Sequence, residues 1–446
     1  MYRSQASPKS IGINQPALID TGTQGLVIPP THFDATLKAI TDQASATAGF
    51  RVDCNAPVLL SGLYYSRDTG GGFCTVAIKK GSGSTRTLPH FILVGKYFEF
   101  QPSQQRVGIA DLKSRFGYAL TGGLLVDNQQ VWAQIDTGSS ALFFTWKEWY
   151  DGLTYPDASS LLPTGAYACP SCTVGPITDL KFEDGTEVHI FPHSGNLGFG
   201  SMSIDGITFG LVNFQDPPPD VLTPVHSIGL GRVVTPGYHS LMDQLQGEVT
   251  STTFALYLRS LPHSIPTQGE LLLGGGDPTL YKAPLTYVPL KSQQENLVTL
   301  GTLQVGTGHK SIGINQPARI DTGTQGLVIP PDHFDATLKA ITDQASASAN
   351  FTVTCDYIPA LGACTIDCHH IVYLPPIELG LGPSGNAPVL ISGLYYARDT
   401  GGGFCTVAIK RGSGSTWTLP HFILVGKYFE FQPSQQRVGI ADLQSP

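Results

Sequence analysis

Residues 10–54 of this chain recur at 311–355, and residues 55–112 recur at 386–443, with about ten substitutions across the two aligned stretches. Any fold for the chain must therefore place two near-copies of one unit on either side of an unlike stretch at 117–300. The copies are not equivalent. The first has no counterpart of residues 356–385, which carry Cys364, Cys368 and the strand-like run Tyr373-Leu-Pro-Pro-Ile-Glu-Leu-Gly-Leu381. Copy one reads as an abbreviated domain, 1–112, followed by two full lobes, 117–300 and 301–446.

The local patterning is that of an all-β chain with a few short helices. Charged residues make up 13% of the sequence, well below the usual quarter, while Gly (51) and Pro (33) are plentiful, as turn-rich β proteins require. A hydrophobic content of 41% supplies real cores and argues against disorder. One helix is expected in each copy. In the second, Phe334, Leu338 and Ile341 fall at i, i+4 and i+7 after a Pro-Pro pair, so Asp332 should open it. Leu271-Leu-Leu-Gly-Gly-Gly-Asp-Pro278 has the glycines of a phosphate loop but no following Lys-Ser/Thr, and reads as a strand ending in a turn.

Ile-Asp-Thr-Gly occurs three times, at Ile19–Gly22, Ile135–Gly138 and Ile320–Gly323, each after a short strand-like run. Asp68-Thr-Gly70 and Asp399-Thr-Gly401 share the tripeptide, but they follow arginines and run into further glycines, which marks them as turns. A catalytic Asp needs an apolar strand to carry its backbone into a buried site and a hydroxyl behind the Gly to bond the carboxylate. Asp136 has both: Val131, Ala133 and Ile135 alternate before it and Ser139 follows. Asp321 follows Ile320 and precedes Thr324, and Asp20 sits in the same local motif in the shorter copy. Asp136 and Asp321 lie about one lobe's length of chain apart. Two facing carboxylates are the minimum equipment for activating water on a peptide bond.

The net charge of −8 and the absence of a basic run interleaved with aromatics argue against nucleic acid as a partner. No apolar stretch is long enough to span a membrane. Met1-Tyr-Arg-Ser-Gln5 lacks the apolar core of a signal peptide, so an incomplete or rearranged start is expected. The eight cysteines, an even number in a β-rich chain, lean toward disulfides and an oxidising compartment. Zinc ligation by Cys364, Cys368, His369 and His370 with Cys169 and Cys172 is the competing reading, but the spacing fits no standard zinc pattern.

Over residues 117–446 the chain resembles the pepsin-like aspartic proteases. The resemblance rests on matches in order: Phe116-Gly-Tyr118 and Gly123-Leu-Leu125 leading to Ile135-Asp-Thr-Gly-Ser-Ser140, then Lys181-Phe-Glu-Asp-Gly-Thr186, Ser227-Ile-Gly-Leu-Gly231, Phe254-Ala-Leu-Tyr-Leu258 and Gly269–Pro278. The second lobe adds Ile320-Asp-Thr-Gly-Thr324, Phe429-Glu-Phe-Gln432 and Arg437-Val-Gly-Ile-Ala441. The resemblance implies a bilobal β fold with a cleft between lobes, and Asp136 and Asp321 as the water-activating dyad of an acid endopeptidase. It further implies that Thr137 and Thr322 lock the two loops together with Gly138 and Gly323, that Ser139 and Thr324 bond the aspartates, and that Phe182, Glu183, Asp184 and Gly185 form the flap.

Further implications are a disulfide joining Cys355 and Cys405, extended peptide or protein substrates, a monomer, no metal or other cofactor, and a secreted or acidic lumenal (vacuolar or lysosomal) location. The chain departs from the pattern at three places. Phe182 replaces the flap tyrosine, Phe143 replaces the tryptophan that tyrosine bonds, and Pro420 stands where a glycine is expected. These departures keep open a second reading, a protein of the same fold that binds or inhibits without catalysis.

Overall fold

The computed structural model describes residues 120–444, apart from 154–157, 163, 184, 200–201, 218–225, 233–234, 236, 260–267, 309, 359–361 and 400–402, together with eight short strands earlier in the chain. It separates into two compact units, Met1–Arg115 and Phe116–Pro446.

In the second unit, the first lobe is built on a seven-stranded sheet. Strands Thr121–Val126 and Gln129–Asp136 form a hairpin turned by Asp127 and Asn128, both at positive φ (46° and 64°), which these two residue types tolerate best among non-glycines. The long strand Glu187–Phe199 pairs with Met202–Asp216 and returns to Thr121–Val126 through Leu197 and Val126, closing the sheet on itself. Ser227–Gly229 lies parallel to Gln129–Asp136, with Asp136 opposite Gly229.

The second lobe repeats this plan. Leu297–Val305 and Ile312–Ile320 form its central hairpin, and Trp417–Leu419 lies parallel to Ile312–Ile320 with Ile320 opposite Leu419. Residue 300, taken from the sequence as the boundary between lobes, falls inside the strand Leu297–Val305. The expected helix runs Pro331–Ala349, one residue earlier than Asp332, because proline is well suited to the first helical turn; Phe334 and Ile341 are buried and Asn350 ends it at φ 59°.

A further five-stranded sheet draws on both halves of the sequence. Phe254–Arg259, Gln268–Leu273 and Thr286–Pro289 join Lys427–Gln432 and Arg437–Asp442, with Phe254 and Phe431 stacked at 4.6 Å between centroids. Leu271–Pro278 is the strand and turn expected from its sequence.

The cysteines correct one expectation. Cys355 is bonded to Cys364 and Cys405 to Cys368, not Cys355 to Cys405. The strand Ala363–Asp367 pairs with Phe404–Val407 so that Ile366 faces Cys405, which delivers Cys368 to Cys405 and Cys364 to the end of the loop holding Cys355. Cys169 and Cys172 are bonded to each other, so among the described residues every cysteine named as a zinc ligand is spent in a disulfide.

In the first unit, strands Ala17–Ile19, Leu26–Ile28, Ile78–Lys80 and Arg86–Leu88 form one sheet in which Ala17 faces Arg86 and Leu26 faces Ile78. The second lobe has the same pairs, Ala318 with Trp417 and Leu327 with Ile409, so near-identical sequence reproduces the same register. Lys96–Gln101 with Arg106–Asp111 likewise matches Lys427–Gln432 with Arg437–Asp442. Asp20 and the first copy's helix lie outside the described residues.

Candidate active site

Each candidate aspartate stands at the end of a strand whose alternate residues are core. Val131, Ala133 and Ile135 are buried before Asp136, and Ala318 and Ile320 before Asp321. The following Thr-Gly turns the chain back beneath a parallel neighbour. Leu230 donates its N–H to the Asp136 carbonyl at 2.7 Å, and the Asp321 N–H donates to the Leu419 carbonyl at 2.9 Å. The proline at 420 follows that accepting carbonyl and caps the short helix His421–Leu424, so its missing N–H breaks no bond to the Asp321 loop.

The two turns meet about a pseudo-twofold axis. Thr137 and Thr322 each donate an N–H to the other's hydroxyl at 3.1 Å; their hydroxyls donate onward to the Ile320 carbonyl (2.8 Å) and the Ile135 carbonyl (2.6 Å). Gly138 and Ser139 bond Asp136 at 2.8 and 2.6 Å, and Gly323 and Thr324 Oγ1 bond Asp321 at 2.9 and 2.8 Å. The glycines are required by contact: a Cβ on Gly323 would lie 2.6 Å from Asp136 Oδ1, and one on Gly138 would run into the Asp321 carboxylate.

These contacts bring the buried Asp136 carboxyl and the half-buried Asp321 carboxyl into one site, each lying against the glycine of the other's turn. Burial and then the Asp321 charge push Asp136 up to about 7, against the Ser139 and Gly138 bonds that favour its ionised form. Burial also raises Asp321, opposed by its Thr324 bond, by the Arg319 guanidinium and by the Gly323 N–H. Such a pair holds one proton between two oxygens over a wide range and can give and take protons on the same substrate.

Sequence reasoning missed the groups around the pair. Asn296, 1% exposed, donates to the Thr137 carbonyl at 2.9 Å, and its own carbonyl takes the Ile320 N–H at 2.9 Å, tying both turns to the second-lobe hairpin. Gln134 donates to the Gly323 carbonyl at 2.5 Å. Arg319, at the matching place before Asp321, pairs instead with Glu295 (2.9 Å) and with Glu183 of the opposite lobe. No local signal separates such residues from other polar strand positions; only the symmetric offset of two residues before each Asp would have found Gln134 and Arg319.

The residues expected to form a flap close a hairpin between Thr178–Lys181 and Glu187–Phe199, through a turn in which the Gly185 N–H bonds the Phe182 carbonyl at 3.0 Å with Gly185 at φ 90°. Asp184 lies outside the described residues. Phe182 packs on Phe143 at 6.3 Å between centroids, so the two replacements do meet. Tyr238, whose hydroxyl is buried with no hydrogen-bond partner among the described residues, belongs to the same apolar cluster. Neither Phe182 nor Phe143 has a polar group with which to make the hydrogen bond that the resemblance implies at this place.

Comparison with known proteins places this geometry in context. The family model for eukaryotic aspartyl proteases matches residues 123–443. Cathepsin D of Clupea harengus is 27% identical over 72% of this chain and 79% of its own length. Napsin-A of Mus musculus is 26% identical over 74% of this chain and 78% of its own, and cathepsin D of Homo sapiens is 29% identical over 47% of this chain and 48% of its own.

Proposed function

Because this chain belongs to the eukaryotic aspartyl proteases, we propose that it is an acid endopeptidase whose dyad is Asp136 and Asp321. The observation that carries the reading is the pair itself: a buried and a half-buried carboxyl on symmetric turns, each bonded by one hydroxyl and one or more backbone N–H groups. In the active form one carboxyl is ionised and the other protonated. The Arg319 guanidinium, two residues from Asp321 in the strand, favours Asp321 as the ionised member, which leaves the proton to Asp136.

The Asp321 carboxylate takes a proton from water as its oxygen attacks the scissile carbonyl carbon, while Asp136 gives its proton to the carbonyl oxygen. The resulting gem-diol collapses as a proton passes to the amide nitrogen and the C–N bond breaks. No covalent acyl-enzyme forms and no metal is called for. Extended peptides under the Phe182 flap are the substrates, and the three disulfides among the described residues fit an oxidising compartment outside the cytosol. Among the described residues no helix is long and apolar enough to cross a membrane.

The test is cleavage of an unfolded protein at acid and neutral pH, with the new termini sequenced. Internal cuts that fade toward neutrality support the reading. Tight peptide binding without any cut favours a non-catalytic binding protein of the same fold.

A further inference from the structure

Arg319 is one of the few positions at which the two near-copies of the repeat differ. Its counterpart in copy one is Leu18. In the strand Ile312–Ile320, Ala318 and Ile320 are buried in the lobe, so the alternation of the strand turns Arg319 to the other face, two residues and about 7 Å of strand from Asp321. Its side chain is 21% exposed and sits between two carboxylates. Glu295 bonds it from within its own lobe at 2.9 Å, and Glu183 reaches it from the flap of the opposite lobe. Arg319 Nε is buried and meets no acceptor among the described residues.

The two partners differ in what holds them. Glu295 precedes Asn296, which is fixed to both aspartate turns, and its own N–H is bonded by Ser292 at 3.2 Å. Glu183 is 65% exposed at the turn of its hairpin, and on the protease reading that hairpin lifts to admit a peptide to the dyad. Lifting it leaves a partly buried guanidinium with one carboxylate where there were two and a donor already unfilled, a costly state unless another acceptor arrives. The planar fork of arginine suits a carboxylate.

We infer that Arg319 is a specificity-determining residue: in the free protein the flap residue Glu183 occupies its guanidinium, and in the complex an acidic substrate side chain beside the scissile bond takes that place. The inference rests on the protease reading for where the substrate lies and for the lifting of the hairpin, and it deepens that reading by giving the substrate a charge. It also makes Glu183 a competitor of the substrate, which ties flap opening to recognition.

The test uses the full chain carrying Asp136→Asn, so that binding is read without turnover. Extended peptides with a single Glu at each successive position, each against its Gln counterpart, are titrated by fluorescence anisotropy at about pH 6, where a Glu side chain is ionised. Glu at one central position should tighten binding roughly ten- to a hundredfold over Gln, as a charged hydrogen-bonded contact does. Arg319→Leu, the residue of the duplicate, should erase that ratio, Arg319→Lys should retain part of it, and Glu183→Gln should widen it. No Glu preference at any position, or one that survives Arg319→Leu, overturns the inference. If Arg319→Leu fails to fold, Glu183→Gln decides, because an unchanged ratio there is equally fatal. Cleavage by the wild-type chain is scored separately. A chain that prefers Glu peptides but cuts none refutes the protease reading alone, and one that cuts without the preference refutes this inference alone.

Discussion

Thr137 and Thr322 exchange hydrogen bonds across the axis relating the two lobes, each N–H donating to the other's hydroxyl at 3.1 Å in a site where both side chains are essentially inaccessible. Each hydroxyl also donates to a carbonyl of the opposite lobe, so one threonine carries two inter-lobe bonds through its side chain. Thr137→Val should cost about 2–3 kcal/mol, since it strands the Thr322 N–H and the Ile320 carbonyl. The double variant Thr137→Val, Thr322→Val should lose less than the two singles added together, because each single change already breaks part of the shared network. Thermal unfolding of the four proteins measures this; strict additivity would mean that the two threonines do not act as one lock.

The flap makes a different prediction. Phe182 and Phe143 pack together with no polar bond between them, so the hairpin proposed as the flap is positioned there by apolar contact. Replacing either by Leu should lower kcat/KM for a peptide, and a double-mutant cycle should return a coupling of about 0.5–1.5 kcal/mol. Because Phe143 is fully buried and Phe182 is not, Phe143→Leu should also lower stability, whereas Phe182→Leu should act mainly on activity. A coupling of zero would detach the flap from Phe143.

Stability should respond to pH in two opposed ways. Asp136, raised from 3.8 to about 7, contributes stability that is complete below its unfolded value and is lost as pH rises through about 7. His226 acts in the opposite sense. Burial lowers it from 6.5 to about 4, with Nδ1 accepting from the Thr145 N–H at 2.9 Å and Nε2 donating to the Gly165 carbonyl at 2.8 Å. Its contribution, about 3 kcal/mol, is present above 6.5 and lost as pH falls through about 4. His226→Gln should therefore flatten the fall in Tm between pH 6.5 and 4, measured by calorimetry. An unchanged slope would show that His226 is not the group being protonated.

The repeat yields a fourth prediction. The unit Phe116–Pro446 already holds both candidate aspartates and every bond described around them, whereas copy one lacks residues corresponding to 356–385. That segment supplies the central-sheet strand Ile377–Leu381 and the partners of both second-lobe disulfides, Cys364 and Cys368. Without it, copy one would leave a sheet edge uncovered and the counterparts of Cys355 and Cys405, Cys54 and Cys74, without those partners. A chain of residues 116–446 should be at least as stable and as active as the whole, and Asp20→Asn should change little. If deletion abolishes folding, or if Asp20→Asn inactivates while Asp321→Asn does not, copy one is the working lobe.

What the sequence disclosed depended on how local the cause was. Asp136 and Asp321 were legible because an alternating strand, a Thr-Gly turn and a following hydroxyl are neighbours in the chain, and the same is true of the helix at Pro331–Ala349, carried by its spacing and its prolines. Cys355 was assigned to Cys405, but the actual partners follow from the strand register that sets Ile366 against Cys405, which no cysteine spacing encodes. Asn296, Glu295 and Arg319 were invisible for a related reason. Each acts through a partner far along the chain or in the other lobe, and as single polar residues on strands or loops they resemble many others.

The central claim is that Asp136 and Asp321 share one proton and together activate water. The most direct measurement is the rate at which the full chain cuts an unfolded protein across acid pH, for the native sequence and for Asp136→Asn and Asp321→Asn. The native chain should be active in acid and fade as pH rises through about 7, where the shared proton is lost. Each variant should lose activity by about a thousandfold or more, since neither carboxyl can serve as both acid and base. Substantial cleavage by either variant, or a native rate that is highest in alkali, would contradict the account.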